Sequence, residues 1–148
     1  MGFHHATGQS VATWASFADG KIVLRSRDPR EGFIARVNSA KKKIKETNVA
    51  EIAQRLKNGD CFHFIDVRED DEWRAGRCKG AVHIGKGVIE RDIESAIPDK
   101  SAEIILYCGG GFRSAIAAES LGEMGYTNVI SMDGGYRGWV EAGLPTEK

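Results

Sequence analysis

The chain carries no net charge, because 21 Lys and Arg residues balance 21 Asp and Glu residues over its 148 positions. No whole-molecule field therefore draws it to nucleic acid or to an anionic membrane, and any preference for anions has to be local. Cysteine is scarce as well. Cys61, Cys78 and Cys108 are odd in number and form no Cys-x-x-Cys pair, which argues against a zinc site or a redox couple and for free thiols in a reducing compartment. No window approaches the ~20 consecutive apolar residues of a membrane span, and the N-terminus has no basic region followed by an apolar stretch, so a soluble, cytoplasmic protein is expected. Met1-Gly2 is followed by Ala6 at the sixth position, where myristoylation requires Ser or Thr. His4 and His5 are too few and too terminal to argue for a metal. Internal repeats and low-complexity tracts are absent too. What remains, 41% apolar residues, suffices for one hydrophobic core and does not fit two domains in tandem.

Residues 1 to 27 mix Gly, Ser, Thr and His with isolated aromatics such as Trp14 and Phe17. Without sustained helical or strand periodicity, they are expected to be a loosely ordered extension. Asp28-Pro29-Arg30-Glu31 has the pattern of a helix start, with Asp as N-cap, Pro at the first helical position and Glu three residues after the cap. Phe33, Val37, Ala40 and Ile44 follow on one narrow apolar stripe. That spacing predicts a helix over about 29–45, with Lys41-Lys42-Lys43 on its solvated side. The expected organisation is an N-terminal extension over 1–43, partly disordered apart from that helix, and a domain over 44–148.

From Thr47 the pattern becomes that of an alternating α/β domain. Asn48-Val49-Ala50-Glu51 is a capping signature that opens a helix through Leu56, closed at Gly59. Phe62 to Val67 reads as a strand, and the acidic run Glu69 to Glu72 as the start of a short helix anchored by Trp73, negative charge suiting a helix N-terminus. Ala81 to Ile84 is a short strand and Arg91 to Ile97 a short helix stopped by Pro98. Ile104-Ile105-Leu106-Tyr107 is a continuous apolar strand fit for burial on both faces. Ala117, Leu121 and Met124 then repeat at helical spacing, Val129 to Met132 supplies another strand, and Trp139 sits on a last short helix. Strands separated by helix-length crossovers imply a parallel sheet wrapped by helices.

The apolar strand runs straight into Cys108, and the segment Cys108-Gly109-Gly110-Gly111-Phe112-Arg113 leads into the next helix. In open parallel sheets ligands bind beyond the carboxyl ends of strands, where helix N-termini point at them. Three consecutive glycines let the backbone approach a ligand closely and turn several N–H groups inward as an anion-binding nest. A thiolate is such an anion. With Arg113 as the adjacent cation, the arrangement calls for no histidine base, because the thiol would already be ionised at neutral pH. A plain glycine turn beside a core cysteine is the alternative, and the strand-Cys-loop-Arg-helix context favours catalysis.

At this point the residues resemble the rhodanese family over roughly 44–148. Phe64-Ile65-Asp66-Val67-Arg68-Glu69 is similar to its Asp-Val-Arg-Glu segment, and Gly76 to Ile84 to its Gly-His-Ile-x-Gly-Ala segment. Cys108 to Ser114 is similar to its active loop, and Asp133-Gly134-Gly135-Tyr136-Arg137-Gly138-Trp139 to its closing Gly-Gly and Trp elements. Arg77 and Cys78 depart from the usual His and Ile. The resemblance implies an α/β fold with a central parallel five-stranded sheet flanked by helices on both faces. It also implies that the strand carrying Asp66 lies beside the one ending at Cys108, with Asp66 and Arg68 near the loop. We read those two as a charge-paired support, and Cys61, Cys78, His63 and His83 as structural.

The implied activity is that of a thiosulfate sulfurtransferase. Cys108 is the nucleophile, and Gly109, Gly110, Gly111, Phe112, Arg113 and Ser114 bind the sulfur donor. No metal or organic cofactor is required. The partners are a small-molecule sulfur donor and a thiophilic acceptor such as cyanide or a thiol, with neither nucleic acid nor membrane. A persulfide relay or binding module serving a protein acceptor is the first alternative. A Cys-dependent phosphatase is the second, although phosphatases of this fold place five residues between Cys and Arg, whereas Gly109 to Phe112 are four.

Overall fold

The computed structural model describes residues 30–148 in full and the backbone of 3–6, 9–18 and 21–27. The chain divides into two compact units, Met1–Asn38 and Ser39–Lys148. The first contains β1 (Phe3–Ala6), β2 (Gln9–Ala18) and β3 (Lys21–Arg27) in an antiparallel sheet of order β1-β2-β3. Strands thus stand where a loosely ordered extension was expected. The cue passed over is Asp19-Gly20 between two apolar runs, since Asp-Gly is among the strongest short signals for a two-residue hairpin. The cap expected at Asp28 and Pro29 and the myristoylation test at Met1-Gly2 lie outside the described residues.

Helix α1 (Glu31–Lys41) is shorter than the 29–45 expected. Val37 and Ala40 are buried as the stripe required, but Ile44 lies beyond the helix. After a turn over 42–44 the chain enters β4 (Lys45–Asn48), a strand the sequence reading missed because Lys-Glu-Thr-Asn has neither alternation nor apolar content. Pairing supplies what composition lacks: β4 is an edge strand, held in parallel register from Lys45↔Ile130 to Asn48↔Asp133. Asn48 then caps α2 (Val49–Lys57), its side chain accepting from the Glu51 N–H at 2.9 Å.

The remaining elements are β5 (His63–Asp66), α3 (Asp70–Ala75), β6 (Arg77–Cys78), β7 (Val82–His83), α4 (Ile89–Ala96), β8 (Ile104–Tyr107), α5 (Phe112–Glu123), β9 (Val129–Asp133), α6 (Gly135–Glu141) and β10 (Thr146–Glu147). The central sheet has five parallel strands in the order β4-β9-β8-β5-β7, so β8 lies in its middle. This is the expected α/β architecture. A two-stranded antiparallel pair of β6 and β10 stands apart from it.

Successive residues of a strand point to opposite faces, and the alternation divides the core in two. Ile65, Ile104, Leu106 and Cys108 join Ile89 and Ile93 of α4 and Ala117, Ala118 and Leu121 of α5 on one face. Phe64, Ile105, Tyr107 and Met132 join Ile52 of α2 and Trp139 of α6 on the other, together with Cys78. Every residue of β8 is fully buried. Replacing Leu106 by Ala removes packing from the centre of the first face and should cost about 2–5 kcal/mol, read as a lower urea midpoint at unchanged m-value.

Candidate active site

Cys108 follows β8 at its carboxyl end and lies on the α5 face, 1% exposed. Beyond it the loop rises to Gly111, the N-cap of α5, whose φ of 104° lies in the left-handed region that disfavours any side chain. A Cβ there would also stand 2.9 Å from Asp133 Oδ1 and 3.2 Å from Asp133 Cα. With that bend made, the Gly111 N–H donates to Cys108 Sγ at 3.1 Å. Ser114 Oγ lies 3.5 Å from the sulfur and 2.8 Å from Ser131 Oγ on β9.

The loop is held from outside by α6. The N–H of Tyr136 donates to the Cys108 carbonyl at 2.8 Å, and that of Arg137 to the Gly109 carbonyl at 3.0 Å. Gly135 permits this approach, because a Cβ on it would collide with the Cys108 carbonyl and with the backbone of Gly109. With the Gly109 carbonyl turned toward α6, the Gly110 N–H of the same planar peptide points the other way, toward the sulfur. Burial alone would push the Cys108 thiol up. The Ser114 side chain and the N–H groups of Ser114, Gly110 and Gly111 outweigh it and hold the thiol below its ordinary range.

Arg113, on the first turn of α5, is not a free cation. Glu72 of α3 grips it through Nη1 at 2.6 Å and Nη2 at 3.0 Å. The guanidinium is kept charged first by Glu72, with the nearby Cys108 sulfur adding to it, and Arg113 in turn holds Glu72 below the usual carboxylate range. Glu72 also accepts from the Glu69 N–H at 3.2 Å, closing a capping box on α3. Phe112 opens α5 with a partly exposed ring beneath Lys41 Nζ, 5.7 Å from its centroid.

Asp66 and Arg68 lie under the loop rather than in it. Arg68 donates to Asp66 through Nε at 3.0 and 3.1 Å and through Nη2 at 2.8 Å, and both side chains are buried. Arg68 Nη2 also donates to the Gly76 carbonyl at 2.6 Å, and its guanidinium lies 4.2 Å from the Tyr136 ring centroid. The pair thus supports the residue whose N–H fixes the Cys108 carbonyl. His83 bonds the Arg68 carbonyl at 2.7 Å and stacks on Trp73, whereas His63 is exposed at the start of β5. Cys78 sits on the opposite face of the sheet from Cys108, and burial pushes its thiol up to about 12. Cys61 is exposed. Among the described residues no group of His, Cys, Asp or Glu is arranged to hold a metal ion, and no helix is long and apolar enough to cross a membrane.

Four residues of this site carried no assignment from sequence. Ser131 and Glu72 reach it across the fold, 17 and 41 positions from the residues they bond. Tyr136 and Arg137 lay inside the closing motif, but nothing in their order says that α6 clasps the loop.

A buried cysteine at the carboxyl end of the central strand of a parallel sheet, held acidic by the Ser114 hydroxyl and by loop N–H groups, is a setting that stabilises a small anion. The sequence agrees with that setting. The model of the family described as Rhodanese-like domain matches residues 48–142, and the chain belongs to that family. It is 38% identical over 72 residues to the thiosulfate sulfurtransferase PspE of Escherichia coli K12, a match covering 49% of this chain and 69% of that one. It is 34% identical over 96 residues to the putative sulfurtransferase YtwF of Bacillus subtilis 168, covering 65% and 90%. Among solved structures it is similar to a protein of unknown function from Rhodopseudomonas palustris CGA009 described as a possible tyrosine phosphatase. That match has a TM-score of 0.73 at 28% identity and covers 79% of this chain and 95% of that one.

Two measurements follow from the geometry. In a Cys61→Ser background, where the raised Cys78 stays protonated through neutral pH, thiolate absorbance should report Cys108 ionising below the ordinary range of a cysteine. Ser114→Ala should move that titration to higher pH, since it removes a stabiliser of the charged form. Asp66→Ala leaves Arg68 buried without its counter-ion, and the resulting loss of about 3–5 kcal/mol should appear in chemical denaturation.

Proposed function

We propose that the protein is a sulfurtransferase that moves a sulfane sulfur from thiosulfate or a related donor to cyanide or a thiol through a persulfide on Cys108. The Cys108 thiolate attacks the outer sulfur of thiosulfate. A sulfur–sulfur bond forms to Cys108 as the donor's own sulfur–sulfur bond breaks, and the bonding pair leaves with sulfite. The acceptor then attacks the terminal sulfur of the persulfide, cyanide departing as thiocyanate, and the Cys108 thiolate returns.

The observation that carries this reading is the 3.1 Å hydrogen bond from the Gly111 N–H to Sγ, part of a set of donors that keeps a nearly inaccessible thiol acidic. The same donors suit the persulfide, which is also anionic and lies one bond further along. In this reading Gly109 to Gly111 and Ser114 hold the sulfur, and the backbone of Phe112 continues the ring. Arg113 shapes it through Glu72, while Asp66 and Arg68 support it from below. The sulfurtransferase relatives PspE and YtwF favour the same class. Cytoplasmic sulfur metabolism is the setting that fits a thiol of this kind.

The description of the Rhodopseudomonas structure gives the phosphatase reading its one support. The four residues between Cys108 and Arg113 make a ring suited to a sulfur atom rather than to a tetrahedral phosphate. Intact mass after incubation with thiosulfate should show the gain of one sulfur atom, removed by cyanide and absent in Cys108→Ala. Hydrolysis of an aryl phosphate that is lost in Cys108→Ser, without any such sulfur adduct, would replace this reading by the other.

A further inference from the structure

Arg113, the cation expected at the mouth of the loop, is occupied by both carboxylate oxygens of Glu72. Lys41, whose Nζ lies over the Phe112 ring, is likewise held, by Glu46 at 3.0 Å and Asp133 at 3.5 Å. Arg137 differs. Its backbone N–H is fixed to the Gly109 carbonyl at 3.0 Å, so the residue cannot drift from the loop. Its exposed side chain has no ion pair or side-chain hydrogen bond among the described residues.

The guanidinium nevertheless comes back over the glycines. Arg137 Nη2 stands 3.6 Å from the position a Cβ would take on Gly109 and 3.6 Å from the corresponding position on Gly110, with Cζ and Nη1 at 3.8 and 3.9 Å from the latter. Arg113 Nη2 is 3.0 Å from the same point on Gly109. Two guanidiniums therefore converge on a space that only the missing side chain of Gly109, the residue next to Cys108, leaves open. One is neutralised by Glu72 and the other is not. Like charges brought together with one counter-ion between them leave a place for an anion.

We propose that Arg137 is the anion anchor of the donor site, making the protein selective for sulfane donors that end in an oxyanion. The inference rests on the sulfur-transfer reading and names the donor class for it. Thiosulfate carries its transferable sulfur on a sulfur bearing three oxygens. With the outer sulfur at Cys108, those oxygens need a cation beside the loop, and the planar fork of Arg137 matches them as an ammonium would not. An alkyl hydropersulfide offers an equivalent outer sulfur with an alkanethiolate as leaving group and no oxyanion, so Arg137 has little to hold.

The test compares wild type, Arg137→Ala and Arg137→Lys with two donors, thiosulfate and 2-hydroxyethyl hydropersulfide, after intact mass has established sulfur loading of wild-type Cys108. A lost charge-assisted contact corresponds to about a tenfold fall in kcat/KM for thiosulfate relative to the hydropersulfide in Arg137→Ala. Arg137→Lys should fall between wild type and Ala. Added salt should weaken the thiosulfate reaction of wild type more than that of Arg137→Ala. An unchanged ratio between the donors, or an equal loss with both, would overturn the anchor while leaving sulfur transfer standing. Absence of any sulfur adduct on wild-type Cys108 from either donor would remove the underlying reading and the anchor with it.

Discussion

The site depends on where two carbonyl groups point. A planar peptide carries its C=O and N–H on opposite sides, so a loop whose carbonyls are drawn outward turns N–H groups inward. The Cys108 and Gly109 carbonyls are drawn outward by the N–H groups of Tyr136 and Arg137. This turns the Gly110 N–H inward, where it joins the N–H groups of Gly111 and Ser114 and the Ser114 hydroxyl, whereas at Cys78 burial dominates and raises the thiol's pKa. At Cys108, donors a few ångströms from the sulfur outweigh burial. The cysteine is thereby both enclosed and acidic, two properties that normally oppose each other.

The grip on these carbonyls is itself held. Gly135 lets α6 come against the loop without collision, and Tyr136 lies against the buried Arg68, which Asp66 neutralises. A chain of contacts therefore runs from the end of β5, through an ion pair and an aromatic ring, to the carbonyl of the cysteine on β8. The alternation of the sheet completes the division of labour. Cys108 faces α5, whose first turn supplies Ser114, whereas Cys78 belongs to the opposite core. The sheet therefore separates the two buried thiols.

Most of this architecture was legible from sequence, for reasons that differ from element to element. The Asn48 cap and the apolar run ahead of Cys108 are local signals, written in consecutive residues, and each formed where expected. Strand β4 was not legible, because Lys-Glu-Thr-Asn becomes a strand only through pairing with β9. The strands of the N-terminal unit had a cue in Asp19-Gly20, but the composition around it outweighed that cue in the reading. In the site, the loop was readable as a contiguous motif. Arg113 was readable as a residue but not as a partner, since Glu72 lies 41 positions away and its acidic run has an equally good local meaning as a helix N-terminus.

The pairing with Glu72 has an electrostatic consequence. A cation adjacent in sequence to a nucleophilic cysteine is easily taken as the source of its acidity. Here Arg113 carries a carboxylate on its outer side, so the field it sets up at distance is that of a dipole, which falls off faster than that of a charge. The thiol is stabilised first by short-range dipoles, the Ser114 hydroxyl and the N–H groups, which act within hydrogen-bond reach and need no net charge, with the paired Arg113 adding to them. Such donors hold an anion already in the ring but do little to draw one in from solution. In a chain with no net charge, attraction over longer range has to come from a cation that keeps its charge unmatched. The short-range and long-range parts of anion binding are thus separable in this fold, the first built by the loop and the second left to whatever stands unpaired at its rim.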